Sequence, residues 1–287
     1  MLCLAAICWG LGFYAQRVSI VEISPLTSTA ARFLIAAPAA VAGLVWCARQ
    51  GIRIPWRAGS VLGVLLYIAF AMQTVAMQYT PVSRVALLTG LYVVFTPMLQ
   101  PFFKLGRPTP VQVVAAIVAV LGTLLLVGVI GNDTATSTPP NIGDALTLGM
   151  AIICAVMVLL IGRWTHEHPV ALNAVQIAVM CVVSVVVTGA VEGSAALAVL
   201  STSFTTWASL VYLAVFSTIA AFTLQMVGQR HLSPAPASVI MLLETPVGVV
   251  AAVLLLGEAM AGLQWLGAII ALVAVVVSVV GEHRRGL

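Results

Sequence analysis

The residues best equipped for chemistry in this chain stand inside runs that otherwise read as hydrocarbon. Glu244 lies roughly ten residues into one such run, which places it on the order of 15 Å deep along a helix. Pro246, two residues later, disturbs helical hydrogen bonding around it. An ionisable group at that depth is costly and is therefore a candidate for function. A carboxyl there can titrate during a transport cycle or pair with a cationic group of a substrate; alternatively, it is a structural carboxyl hydrogen-bonded to a neighbouring helix. Arg32 and Arg84 each stand one to two turns inside an apolar run. Snorkelling to headgroups or a helix-packing ion pair is one reading of each, contact with an anionic substrate the other.

Trp9, Phe13, Tyr67, Tyr92 and Tyr212 offer flat apolar faces, some with polar tips, as a site for small amphipathic molecules would require. The alternative for each is packing or an interfacial belt. Tyr67, Thr74 and Gln78 are spaced by seven and four residues, which puts them on one helical face, and Thr218, Gln225 and Gln229 repeat that spacing later in the chain. Gln73 and Gln176 are further polar candidates in apolar surroundings.

Other chemistries find little support. His166-Glu167-His168 is a His-x-His loop, but a zinc site needs three or four ligands with supporting hydrogen bonds, and a solvated turn is the simpler reading. The five cysteines, Cys3, Cys8, Cys47, Cys154 and Cys181, form no C-x-x-C pair and read as small core hydrophobes. There is no P-loop, dinucleotide fingerprint, zincin motif or serine nucleophile elbow, so a gradient or an exchanged solute would have to supply any driving force.

The elements that must position these groups follow from composition. Of 287 residues, 62% are hydrophobic and 7% charged, too few polar side chains to cover a soluble surface, and mean hydropathy is +1.17. Lipid is the expected solvent. The long unalternating apolar runs then mean helices of about 20 residues, whose backbone groups are satisfied internally. Polar, Pro and Gly clusters divide the chain into ten expected spans, near 2–20, 27–47, 59–79, 81–101, 109–130, 143–162, 172–191, 207–227, 235–256 and 263–281. The opening run lacks a basic leader and a small-residue cleavage site, and reads as a first span. Gly59-x-x-x-Gly63 predicts close packing between helices of this chain.

The polar stretch GNDTATSTPPN reads as a linker near the midpoint. The expected organisation is a first five-helix repeat at 1–130, a linker at 131–142, a second repeat at 143–281 and a tail at 282–287. Arg49, Arg53, Arg57, Lys104, Arg107, Arg163, Arg230, Arg284 and Arg285 fall on one side of this topology, against Arg17, Arg32 and Arg84 on or toward the other, which predicts cytoplasmic termini. An odd number of spans per half inverts the second half relative to the first, with a central cavity between them. Gln112 and its Ala-rich span correspond in this scheme to Gln264 and the last span.

Several short motifs occur in a telling order: Trp9-Gly10 with Phe13, Ala31-Arg32-Phe33, Leu88-Thr89-Gly90-Leu91-Tyr92-Val93-Val94 leading to Pro97, Leu243-Glu244-Thr245-Pro246, Leu256-Gly257-Glu258, and Gln264 followed by Gly267. Together they make the chain resemble the EamA-type permeases of the drug/metabolite transporter superfamily, along essentially its whole length. Two departures stand out. Lys104-Leu105-Gly106-Arg107-Pro108 lacks the Glu that often ends the family's first half, and Thr245 interrupts the usual Glu-Pro pair.

The resemblance implies an all-α membrane protein with ten transmembrane helices as two inverted five-helix repeats around a central cavity. It implies a secondary carrier, usually an exporter of amino acids, other metabolites or toxic compounds, without metal or organic cofactor. The expected partners are a small-molecule substrate, the bilayer, and protons or an exchanged solute, with no nucleic acid. An importer or lipid-like flippase on the same fold is one rival; an intramembrane enzyme or a non-transporting membrane subunit is another. Eleven Arg against one Lys, with much Ala and Val, suggests a GC-rich bacterial genome and hence an inner membrane.

Overall fold

The computed structural model describes residues 1–107, 109–126, 141–258, 261–263, 265–270 and 273–274. Residues 131–140 of the expected 131–142 linker, the tail, Gln264 and the side chain of Gln112 lie outside these, while Asn141 and Ile142 already open α7. The described chain is helical, with α1 (Leu2–Ser19), α2 (Pro25–Arg49), α3 (Trp56–Ala76), α4 (Val82–Thr89), α5 (Tyr92–Leu99), α6 (Pro110–Leu126), α7 (Ile142–Arg163), α8 (Pro169–Glu192), α9 (Phe204–Tyr212), α10 (Ala221–Gly228), α11 (Pro234–Met241) and α12 (Glu244–Leu256). Short 3-10 turns follow α5 and α8, and a π-helical segment, Leu213–Ala220, joins α9 to α10.

Seven of the resulting rods are long and apolar enough to cross a membrane. Their outer faces carry large apolar side chains such as Val186, Phe204 and Leu254, which water would penalise and lipid would not. The chain is a multi-pass helical membrane protein.

Helix starts follow local chemistry. Pro opens α2, α6, α8 and α11, where its missing N–H costs nothing. Ser24 caps α2 by accepting from Thr27 N at 3.0 Å. Asn141 and Asp144 form a reciprocal capping box at α7. The start of α4 borrows its cap from far along the chain: the Glu258 carboxylate accepts from Val82 N at 2.9 Å and Ser83 N at 3.0 Å. Gly257, at φ 68°, supplies the left-handed turn that presents Glu258.

Two rods are broken in the middle. Between α11 and α12 the cause is Pro246, whose ring displaces the carbonyl of Leu242 four residues earlier, so that Thr245 N bonds Leu242 O in a tighter turn at 2.9 Å. Between α4 and α5 the break falls at Gly90–Leu91, upstream of Pro97. The two breaks cross: a Cβ at Gly90 would lie 2.6 Å from Leu242 Cδ1 and 2.7 Å from Thr245 Oγ1. Thr245 also donates its hydroxyl to Ala86 O at 3.2 Å.

The most extensive packing joins helices before residue 127 to helices after 140: α2 with α8, α3 with α7 and α8, α1 with α12, and α4 with α12. The main core, including Phe33, Leu62, Phe70, Ile177, Met180 and Phe222, lies along these contacts. Gly63 serves the expected close approach, since a Cβ there would sit 2.8 Å from Gln176 O and 2.9 Å from Val179 Cβ. Gly10 does the same between α1 and α12, with Glu244 O 2.8 Å from the position a Cβ would take.

Candidate functional site

Where the broken rods cross α1, α3, α7 and the π segment, the bundle forms a cavity of about 80 Å³. The α1 wall presents Trp9, Phe13 and Gln16, spaced by four and three residues and hence on one face. Leu66, Phe70 and Gln73 from α3 and Phe222 and Gln225 from α10 extend that wall, and Met150, Cys154 and Met157 come from α7. Aromatic packing holds the apolar side: Trp9 and Phe222 are 5.1 Å apart between ring centroids, and Phe70 meets Phe222 edge-on at 6.3 Å. The Trp9 indole N–H donates to Ser217 O at 2.9 Å, which fixes the ring.

The polar groups are few and directed. Tyr92 and Glu244 are the first residues of α5 and α12, each just after a break, and both line the chamber. Glu244 is 7% exposed and faces the cavity. Gln16 donates to the Thr74 hydroxyl, which in turn donates to Phe70 O at 2.6 Å. Gln225 Oε1 is buried and has no partner among the described residues, leaving an acceptor for a bound solute. An apolar chamber with a few convergent polar groups is the usual form of a small-molecule site.

Six sequence candidates line the chamber: Trp9, Phe13, Gln73, Tyr92, Gln225 and Glu244. Thr74 stands one hydrogen bond behind it, through Gln16. Arg32 and Thr218 lie behind Phe70 and Ser217: Arg32 Nε donates to Thr218 Oγ1 at 2.7 Å and Nη2 to Ser217 Oγ at 3.0 Å. Arg84 makes a 2.7 Å ion pair with Asp144, one of the two alternatives its position left open. Tyr212 donates to Cys8 O at 3.0 Å and stacks on Phe216, and Tyr67 is buried in the main core. Gln78 is exposed in the turn after α3, because the helix ends at Ala76 and the stripe outruns it.

Of the further glutamines, Gln73 lines the chamber, whereas Gln176 is fully buried between α8 and α3 with neither amide atom bonded among the described residues. Sequence reasoning passed over Gln16 and Ser217, read Cys154 as a core hydrophobe, and met Thr89 only within a motif. Gln16 was detectable from its register with Trp9 and Phe13. Ser217 was not, since the π segment alters which residues share a face.

In the His-x-His loop, His166 is exposed and lies 3.5 Å from Glu167, while His168 packs against Trp46. Burial, together with Arg230 nearby, holds His168 below its ordinary value. Among the described residues, no three His, Cys, Asp or Glu side chains gather as metal ligands would.

Comparison with known proteins bears on what such a chamber serves. An uncharacterised transporter of Archaeoglobus fulgidus is 25% identical over 283 residues, covering 96% of this chain and 83% of that protein. A protein of known crystal structure superposes with a TM-score of 0.74 at 17% identity, covering 100% of this chain and 98% of the other, a likeness of fold. The sequence profile of the EamA-like transporter family matches residues 1–128 and again 141–280. With both stretches matched, the chain belongs to the EamA-like transporter family.

Proposed function

We propose that this membrane transporter is a secondary carrier that exports small metabolites, amino acids or drug-like compounds by alternating access through the chamber around Glu244. The observation that carries the reading is the chamber itself: it is walled by helices from both matched stretches and bordered by the two broken rods. Broken helices beside a buried polar site are the usual architecture of secondary carriers. The breaks at Gly90 and Leu242 are where the rods can bend, and rocking there, assisted by Pro97, Pro101 and Pro246, would open the chamber to either side in turn.

The same reading assigns ten spans in two inverted repeats of five, with 131–142 as linker, both termini cytoplasmic and a bacterial inner membrane as location. The double family match and the similar interruption of the two rods support the repeat. The lining favours transport over intramembrane catalysis, since Glu244 has Tyr92 and Cys154 for company and, among the described residues, no second carboxyl or histidine in the chamber.

The test is solute release from cells overproducing the chain, with extracellular metabolites profiled beside Glu244→Gln and Tyr92→Ala. Accumulation of one compound class that collapses in both variants supports export through this chamber. Unchanged release with properly inserted wild-type protein defeats the export reading, and uptake of the same panel would establish the importer instead.

A further inference from the structure

We propose that Arg32, acting with Ser217, is the anchor for a carboxylate on the transported solute, so that the carrier takes small organic acids with an apolar body. The proposal rests on the carrier reading and names its substrate class. Arg32 is 3% exposed, with its guanidinium 4.1 Å from the centroid of the Phe70 ring. A cation at such depth is normally paired with a carboxylate. Here no ion pair forms among the described residues; both hydrogen-bond acceptors are neutral hydroxyls. Among the described acids, Asp144 pairs with Arg84, Glu167 lies by His166, Glu192 accepts from Ser24 and Thr27, Glu22 from Ser203 and Glu258 from the start of α4, while Glu244 lines the chamber without an ion pair to Arg32.

A purely architectural arginine would be poorly served by this arrangement. A guanidinium carries five N–H donors, and Nη1 makes no hydrogen bond among the described residues. Of the four groups touching Arg32, Phe70 and Ser217 line the chamber, whereas Thr218 and Phe33 lie behind it. The Ser217 hydroxyl accepts from Arg32 and so retains its own proton for donation, whereas the Thr218 proton goes to Leu213 O at 2.8 Å. Gly12 keeps the approach to Ser217 open: a Cβ there would lie 3.0 Å from Ser217 Oγ. The π-helical turn places the consecutive Ser217 and Thr218 on the same guanidinium, an arrangement an α-helix does not favour. A carboxylate oxygen bonded by Ser217 Oγ–H and the guanidinium would neutralise the buried charge, and Trp9, Phe13 and Phe222 would cover the apolar remainder of the solute.

The experiment measures ligand-induced thermal stabilisation of the purified full chain, with flux into proteoliposomes read separately. The probes share one 3-methylbutyl body: 4-methylpentanoate, its amide, isoamylamine and leucine. The expected result is that the carboxylates stabilise the protein saturably while the amide and amine do not, and that Arg32→Gln weakens carboxylate binding about tenfold to a hundredfold. Ser217→Ala leaves Arg32 in place and is expected to lose several-fold in the same assay, which keeps the test decisive if Arg32→Gln does not fold. Amide or amine binding as well as the carboxylates, absence of carboxylate binding, or unchanged carboxylate binding in both variants overturns the proposal.

Binding without flux would sustain the anion site and sink the carrier reading; flux of the amine alone would do the reverse. If Glu244→Gln weakens leucine but not 4-methylpentanoate, the carboxylate belongs to an amino acid held at both ends. If it leaves the two alike, the carboxylate alone is recognised.

Discussion

The two broken rods, α4–α5 and α11–α12, share a plan but differ in how they are held. Each begins with an eight-residue helix, breaks, and resumes with a polar residue in the chamber, Tyr92 in one and Glu244 in the other. The start of α4 is secured by the Glu258 carboxylate and by Arg84 paired to Asp144. At the start of α11, Ser233 makes no capping bond with its side chain. The same contrast holds for the ends of the bundle. At the α4 end, Glu192 accepts from the Ser24 and Thr27 hydroxyls at 2.5 and 2.6 Å, Glu22 from Ser203 N at 2.7 Å, and Thr80 donates to Asn141 at 2.7 Å. At the α11 end, the described cross-links are Arg230 to Glu167 O and Gln229 to Val158 O. The first end is shut by charge-assisted bonds, and the second is closed mainly by packing such as Leu2 on Gly228.

The comparison breaks most severely at the ion pair. Arg84 and Asp144 have side chains 10% and 12% exposed, so Arg84→Ala leaves a nearly buried carboxylate and should destabilise the protein by about 3–5 kcal/mol. Thermal unfolding in detergent measures it, and the double variant with Asp144→Ala should recover part of the loss. No recovery would mean that the pair does not hold this end.

The crossing of the two breaks comes next. Gly90→Val forces a side chain against Leu242 and Thr245 and should cost about 1–3 kcal/mol, whereas Gly189→Val, with nothing within 4 Å, should not show that overpacking penalty. Adding Leu242→Ala should relieve the Gly90 variant if the rods meet there. A smaller effect is expected at the cap. Glu258→Gln removes the charge from the two α4 bonds and should cost about 1 kcal/mol. Leu105-Gly106-Arg107 stands after α5 as Leu256-Gly257-Glu258 stands after α12, and both glycines have positive φ, 94° and 68°. Arg107→Glu should therefore stabilise the protein by about 0.5 kcal/mol if it supplies α11 with the missing cap. No gain would show that the two turns are not equivalent.

Much of the chamber was legible because burying a polar group in an apolar run requires a reason. Glu244 stood out on that ground, and Trp9, Phe13 and Tyr92 through motif and register. Gly63 was legible as a packing site since its contact needs only the absence of a side chain. Rotation about the helix axis was harder to read. Depth alone allowed Arg32 to snorkel, yet α2 turns it inward onto Phe70. Of the second polar stripe only Gln225 reaches the chamber, because Thr218 lies in the π segment, where seven residues no longer mean two turns. The break at Leu242 was displaced from its cause, Pro246, by the one-turn reach of a proline ring.

The smallest test concerns pH at the tied end. Glu22 lies outside the spans, and its hydrogen bonds from Ser203 hold the carboxyl below its ordinary 4.5, because the charged form is the better acceptor. A carboxyl depressed by folding stabilises the protein above its unfolded value and loses that contribution as pH falls through the folded one. Glu22→Gln should therefore melt slightly below wild type at neutral pH and together with it in acid, the gap closing below about pH 4.5. Ser203 and Thr206 face Glu22 from α9, and neither titrates in that range, so the closing gap reports Glu22 itself. A gap that persists unchanged into acid would assign the loss to packing and remove Glu22 from the ties that distinguish this end.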